Sequence, residues 1–120
     1  MAGSLTTHVL DTARGCPAAG MHVEVWRLEA THGERRLVKS VYTNVEGRTD
    51  APLLEGASFS AGLYELVFAV GAYFAAQGMI TAAPPFLDEV PVRFGVADAG
   101  SHFHVPLLTS PWAYSTYRGS

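Results

Sequence analysis

The chain has 120 residues, 48% hydrophobic and 16% charged, with a net charge of −3. That balance excludes a disordered chain and leaves no electrostatic footprint for nucleic acid or an anionic membrane surface. Its one cysteine, Cys16, allows no internal disulfide, and the start "MAGSLTTHVL" lacks the positive region and long apolar run of a secretory signal, so a reducing cytoplasm is the expected compartment.

Taken in order, the first element is a strand over "LTTHVLDT" (5–12), followed by the turn "RGCPAAG", in which Cys16 has no neighbouring acid or paired histidine to activate it. Strands are expected over "MHVEVWRLE" (21–29) and "RLVKSVYT" (36–43), joined by the turn "THGE" and followed by the loop "VEGRTDAP" that carries Arg48. The run at 62–80 approaches the roughly 20 apolar residues of a spanning helix. Glu65, Gln77, Gly71 and Gly78 count against that reading. Before Gly71, "LYELVFAV" (63–70) is aromatic and β-branched; after it, "AYFAAQG" is alanine-rich, which predicts a strand and then a two-turn helix. Three further strands follow at "EVPVRFGV" (89–96), "HFHVPLLT" (102–109) and "AYSTYR" (113–118), separated by "ADAGS" and "SPW". Seven or eight short strands with one brief helix predict an all-β sandwich. With no linker dividing two apolar halves, residues 1–120 are expected to form one domain.

Period-two alternation sorts the polar residues onto faces. Phe103, Val105 and Leu107 belong in the core, and His102, His104, Pro106 and Leu108 share the opposite face. In the first strand Leu5, Thr7, Val9 and Asp11 share one face, and Thr6, His8 and Leu10 the other. In the last, Ala113, Ser115 and Tyr117 oppose Tyr114, Thr116 and Arg118. His102 and His104 at i, i+2, with His8 as a third nitrogen, satisfy a metal-ligand spacing, but no cysteine or carboxylate accompanies them. A rigid strand also holds an imidazole for acid–base work near its ordinary pKa of about 6.5. A serine-nucleophile reading fails for want of a G-x-S-x-G elbow.

The stretches "LTTHVLDTARGCPAAGMHVEVWRL", "TNVEGRTDAPLL", "GLYELVFAVGAYFA" and "HFHVPLLTSPWAYSTYRGS", in that order, resemble the transthyretin-related 5-hydroxyisourate hydrolases over nearly the whole chain. The resemblance implies a transthyretin-like sandwich of two four-stranded sheets with one short helix, assembled as a homotetramer, a dimer of dimers, around a channel. It implies hydrolysis of 5-hydroxyisourate to 2-oxo-4-hydroxy-4-carboxy-5-ureidoimidazoline, a step of urate degradation, with no cofactor and no metal. The family's reactive set falls on His8 of "THVLD", Arg48 of the "GR" turn, His104 before "VPLL", and Tyr117 of the terminal "YRGS". Ser115, Arg118 and Ser120 are then expected to join His8, Arg48 and Tyr117 in holding substrate, making the end of the chain part of the site wall. Thr6 stands where many members have Ser, and Phe103 where Tyr is common. His102 is left at the rim or in support of His104, and which histidine is the base stays open. The rival reading from another class is a transthyretin-like carrier of a small aromatic ligand, which has no use for two imidazoles, an arginine and a tyrosine converging on one point.

Overall fold

The computed structural model describes residues 3–29, 33–80 and 82–120. The turn read at 31–34 lies partly outside them. The strands are β1 (Ser4–Thr6), β2 (Val9–Asp11), β3 (Cys16–Pro17), β4 (His22–Leu28), β5 (Arg35–Tyr42), β6 (Leu54–Glu55), β7 (Gly62–Phe68), β8 (Val90–Val96), β9 (His102–His104), β10 (Leu107–Thr109) and β11 (Tyr114–Thr116). A 3-10 turn spans Gly56–Ser58, and the helix α1 spans Val70–Ala76.

One layer of the sandwich is the four-stranded antiparallel sheet β5-β4-β7-β8. The facing layer is cut in two, β6-β1-β9 and β11-β10-β2-β3, because each of the strands read over 5–12 and 102–109 is interrupted. The parallel register nevertheless runs straight through the gap. Ser4 pairs with His102 and Thr6 with His104, then Val9 with Leu107 and Asp11 with Thr109. The amides of Val105 and Leu107 donate to Thr6 O and His8 O across the break at 2.9 and 3.0 Å. The rung that is lost is the one from His8 N to Val105 O, and that carbonyl accepts from the Thr7 hydroxyl at 2.7 Å instead. Alternation survives the cut: Leu5, Thr7, Val9 and Asp11 are buried, and Thr6, His8 and Leu10 are partly open.

The core lies between the layers. Leu5, Val9, Phe103, Val105 and Leu107 meet Val23, Val25, Tyr64, Leu66 and Phe68 in one cluster, each large side chain contributing about 1.5–3 kcal/mol through burial. The helix begins at Val70, earlier than the change of character at Gly71 suggests, and buries Val70, Gly71, Tyr73 and Phe74. Gly71 faces Leu87 so closely that a Cβ would come within 2.7 Å of its carbonyl oxygen. Among the described residues no helix is long and apolar enough to cross a membrane. Glu65, the charge inside that apolar run, is gripped on β7 by Arg35 at 2.9 Å and Arg93 at 3.2 Å. Cys16, read as a turn residue, pairs in β3 with Asp11.

Asp11 fastens α1 to the layer that carries the histidines. Its carboxylate is buried and accepts from Arg14 N at 3.0 Å, Arg14 Nε at 3.1 Å and the Tyr73 hydroxyl at 2.9 Å. Asp11→Ala leaves that hydroxyl without its acceptor. The expected loss is about 2–4 kcal/mol of unfolding free energy, read by urea denaturation.

Candidate active site

His104 ends β9 directly opposite Thr6 of β1, and both side chains leave the sheet away from the core. Thr6 Oγ1 lies 2.8 Å from His104 Nδ1 and 3.3 Å from His102 Nε2. Ser4 Oγ lies 2.7 Å from His102 Nδ1. The two imidazoles stack nearly parallel, 12° apart in plane with centroids 6.3 Å apart.

Arg48 reaches this face from the loop after β5. Asn44 folds the loop: its side-chain oxygen accepts from Glu46 N and Arg48 N, and its backbone N–H donates to Arg48 O at 2.7 Å. Gly47 turns with φ of +75°, and a Cβ there would meet Val9 O at 2.3 Å, so only glycine lets the loop dock against β2. Val9 N donates to Gly47 O at 2.8 Å. The preceding residue, His8, donates from Nε2 to Glu46 O at 2.9 Å. A carbonyl only accepts, so Nε2 carries a proton, and in the neutral ring Nδ1 is left with its lone pair.

These elements wall a cleft of about 430 Å³ lined by Thr6, Arg48, Asp50, His102, His104 and Ser120 among others. Arg48 brings a cation to this cleft and Asp50 a carboxylate. Burial holds the His104 imidazole below the ordinary histidine pKa, and the nearby positive charge of Arg48 adds to the depression. The ring is therefore neutral at neutral pH and able to accept a proton. A neutral imidazole in the same cleft as a permanently charged guanidinium can take a proton from water while the cation stabilises an oxyanion.

The chain after β11 turns back onto this wall. Gly119 N donates to His104 O at 2.7 Å, and the two residues form an isolated antiparallel bridge. Gly119 lies so close that a Cβ on it would come 2.6 Å from His104 Cδ2. Ser120 then lines the cleft. Tyr117 and Arg118 go elsewhere within one chain. They line a separate hollow with Phe94, Phe103 and Val105, and the Arg118 guanidinium sits 4.0 Å over the Phe103 ring. Ser115 is exposed on β11 opposite Leu108. Arg48, His104 and Ser120 thus share one cleft, His8 is bonded to the loop that brings Arg48, and Ser115, Tyr117 and Arg118 lie outside it.

The residues that sequence reading missed are Thr6 and Asp50. Thr6 shares its alternation face with His8, but its place beside His104 depends on a pairing between segments 98 residues apart. Among the described residues no three His, Cys, Asp or Glu are grouped so as to hold a metal ion.

Comparison with known proteins gives a consistent result. Residues 5–119 match the model of the HIUase/Transthyretin family. The chain is 58% identical over 118 residues to 5-hydroxyisourate hydrolase 2 of Rhizobium meliloti strain 1021, covering 98% of this chain and 97% of that protein. The crystal structure of an (S)-allantoin synthase superposes with a TM-score of 0.91 at 48% identity, covering 99% of this chain and 44% of that one, so the present chain spans less than half of its length. Sea bream transthyretin in complex with thyroxine superposes with a TM-score of 0.86 at 27% identity, covering 97% and 94%.

Proposed function

The chain belongs to the HIUase/Transthyretin family, and from that premise we propose that it hydrolyses 5-hydroxyisourate in the cleft between Arg48 and His104. One observation carries this reading: a neutral imidazole and a guanidinium line the same cavity. A carrier of apolar aromatic ligands gains nothing from that arrangement.

His104, held neutral, takes a proton from water as the oxygen attacks the ring carbonyl carbon. The carbonyl electrons move onto oxygen, where Arg48 stabilises the negative charge. Collapse of this tetrahedral species breaks the C–N bond, the electron pair leaves on nitrogen, and nitrogen receives the proton from the imidazolium. The opened ring carries a new N–H and a new carboxyl group, which gives up its proton to solvent as the carboxylate, and one water is consumed without oxidation or reduction. His8, with Nε2–H on Glu46 O and its other nitrogen unprotonated, orients or relays beside it. Ser120 closes the wall.

Tyr117, Ser115 and Arg118 contact substrate in this reading only if the site is completed by a second copy, and a homotetramer supplies one. Support comes from β11, an outer strand of its sheet whose residues are exposed, and from the exposed rings of Trp112, Tyr114 and Tyr117 around it. The working compartment in this reading is the cytoplasm, and neither cofactor nor metal enters the reaction.

The pH profile tests the base. Activity requires unprotonated His104, whose pKa lies below the ordinary value of about 6.5. The saturated rate should be level through neutrality and fall only once the pH drops below about 6.5, as the imidazole protonates. Stability follows the same sign. The unfolded chain binds this proton more readily than the native one, so acidification from above 6.5 draws stability away until the native ring protonates. A rate that rises on acidification would overturn His104 as base.

A further inference from the structure

The hydroxyl of Thr6 occupies a place with few chemical options. It has one proton, and it lies between two ring nitrogens, His104 Nδ1 at 2.8 Å and His102 Nε2 at 3.3 Å. It can donate to only one of them and must accept from the other. The hydrogen-bonded column Ser4–His102–Thr6–His104 therefore has two polarities. In one, His104 donates from Nδ1 to Thr6, Thr6 donates to His102 Nε2, and His102 donates from Nδ1 to Ser4. In the other every proton is reversed, and His104 carries its proton on Nε2.

The surroundings choose between them. Thr6 takes up Nδ1 of His104, which leaves Nε2 as the nitrogen available to the cleft that Arg48 lines, and a lone pair there suits the positive charge of Arg48 better than an N–H. Among the described residues Nε2 of His104 has no hydrogen-bond partner, so nothing opposes that preference there. The open end of the column also fits, since His102 is exposed and meets solvent.

We propose that Thr6 is a positioning residue of the hydrolytic reaction: it accepts the Nδ1–H of His104 and donates to His102, holding the base in the tautomer whose Nε2 can take a proton. The proposal rests on the hydrolase reading with His104 as base. A third group that orients a catalytic imidazole is commonly a carboxylate. A carboxylate would raise the imidazole pKa, whereas a hydroxyl backed by an exposed imidazole orients the ring and leaves it neutral. When His104 takes the proton from water, its Nδ1–H bond to Thr6 becomes charge-assisted and tightens, which favours the transition state over the ground state.

Two substitutions separate the hydroxyl from the shape of the side chain. Thr6→Val keeps the branched volume and removes the donor and acceptor. Its kcat should fall about 10- to 100-fold, short of the roughly 10,000-fold lost with a buried carboxylate orienter, while KM stays within about threefold. Thr6→Ser should restore most of that loss. Adding His102→Ala to Thr6→Val should cost nothing further, because His102 acts through Thr6. Long-range proton–nitrogen spectra of the substrate-free protein should show His104 protonated at Nδ1, and Thr6→Val should shift it towards Nε2–H. Full activity in Thr6→Val, equal loss in Thr6→Ser, or an Nε2–H tautomer in the unmodified protein would each overturn the proposal. An unmodified protein that fails to accelerate hydrolysis would instead overturn the hydrolase reading. The tautomer is read without substrate, so the two failures are distinct.

Discussion

Replacing His104 by alanine is expected to lower the hydrolysis of 5-hydroxyisourate by about 100- to 10,000-fold, the usual yield of a positioned general base. The imidazole is the group in the cleft that is held neutral at neutral pH, and its loss leaves Arg48 to stabilise an oxyanion that water forms too slowly. The fold should not suffer. His104 is only partly buried at the end of β9, and the backbone bonds it makes to β1 and to Gly119 do not depend on its side chain. Steady-state kinetics beside a melting curve check both halves. A decrease in kcat with KM little changed identifies a transition-state role, whereas a raised KM alone would reduce His104 to a substrate contact.

Deleting Tyr117–Ser120 is expected to remove activity by orders of magnitude and shift the melting temperature only modestly. The deleted segment contributes one bridge to His104, the stack of Arg118 over Phe103 and no buried core side chain, so its thermodynamic weight is that of a strand end. Its catalytic weight is larger, since Ser120 lines the cleft and Gly119 N–H holds the backbone of His104. Gly119→Ala is a finer version of the same experiment. The new Cβ would lie 2.6 Å from His104 Cδ2, and its relief displaces either the ring from its place beside Thr6 or the backbone of residue 119 from its bridge to His104. A loss of about tenfold or more is expected, of the order of one misaligned contact to a reacting group, with every residue of the wall still present. Full activity in the truncated protein would make the segment an ordinary strand end.

How far the sequence foretold this site is best seen in particular residues. The burial of Leu5, Val9, Phe103 and Leu107 and the outward turn of His8 and His104 follow from period-two alternation, and the structure keeps that alternation even where the ladder breaks between Thr6 and Val9. The position of Thr6 was hidden. Parallel pairing of β1 with β9 joins segments 98 residues apart, and local pattern carries no record of such a register. Tyr117 shows where extrapolation stops: regular pairing ends at Thr116, so the strand's alternation says nothing of the residues beyond it. Within one chain Tyr117 and Arg118 border Phe103 instead of the cleft. Arg48 was legible as a loop cation, but its aim depends on Asn44 and on the close approach of Gly47 to Val9.

The central claim is that this cleft hydrolyses 5-hydroxyisourate with its own side chains. The most direct test follows the ultraviolet decay of freshly generated 5-hydroxyisourate near neutral pH, with and without the protein and in the presence of a metal chelator. Decay should accelerate in proportion to protein concentration, be untouched by the chelator, and return close to the spontaneous rate with His104→Ala. Decay at the spontaneous rate in the presence of the unmodified protein would contradict the account.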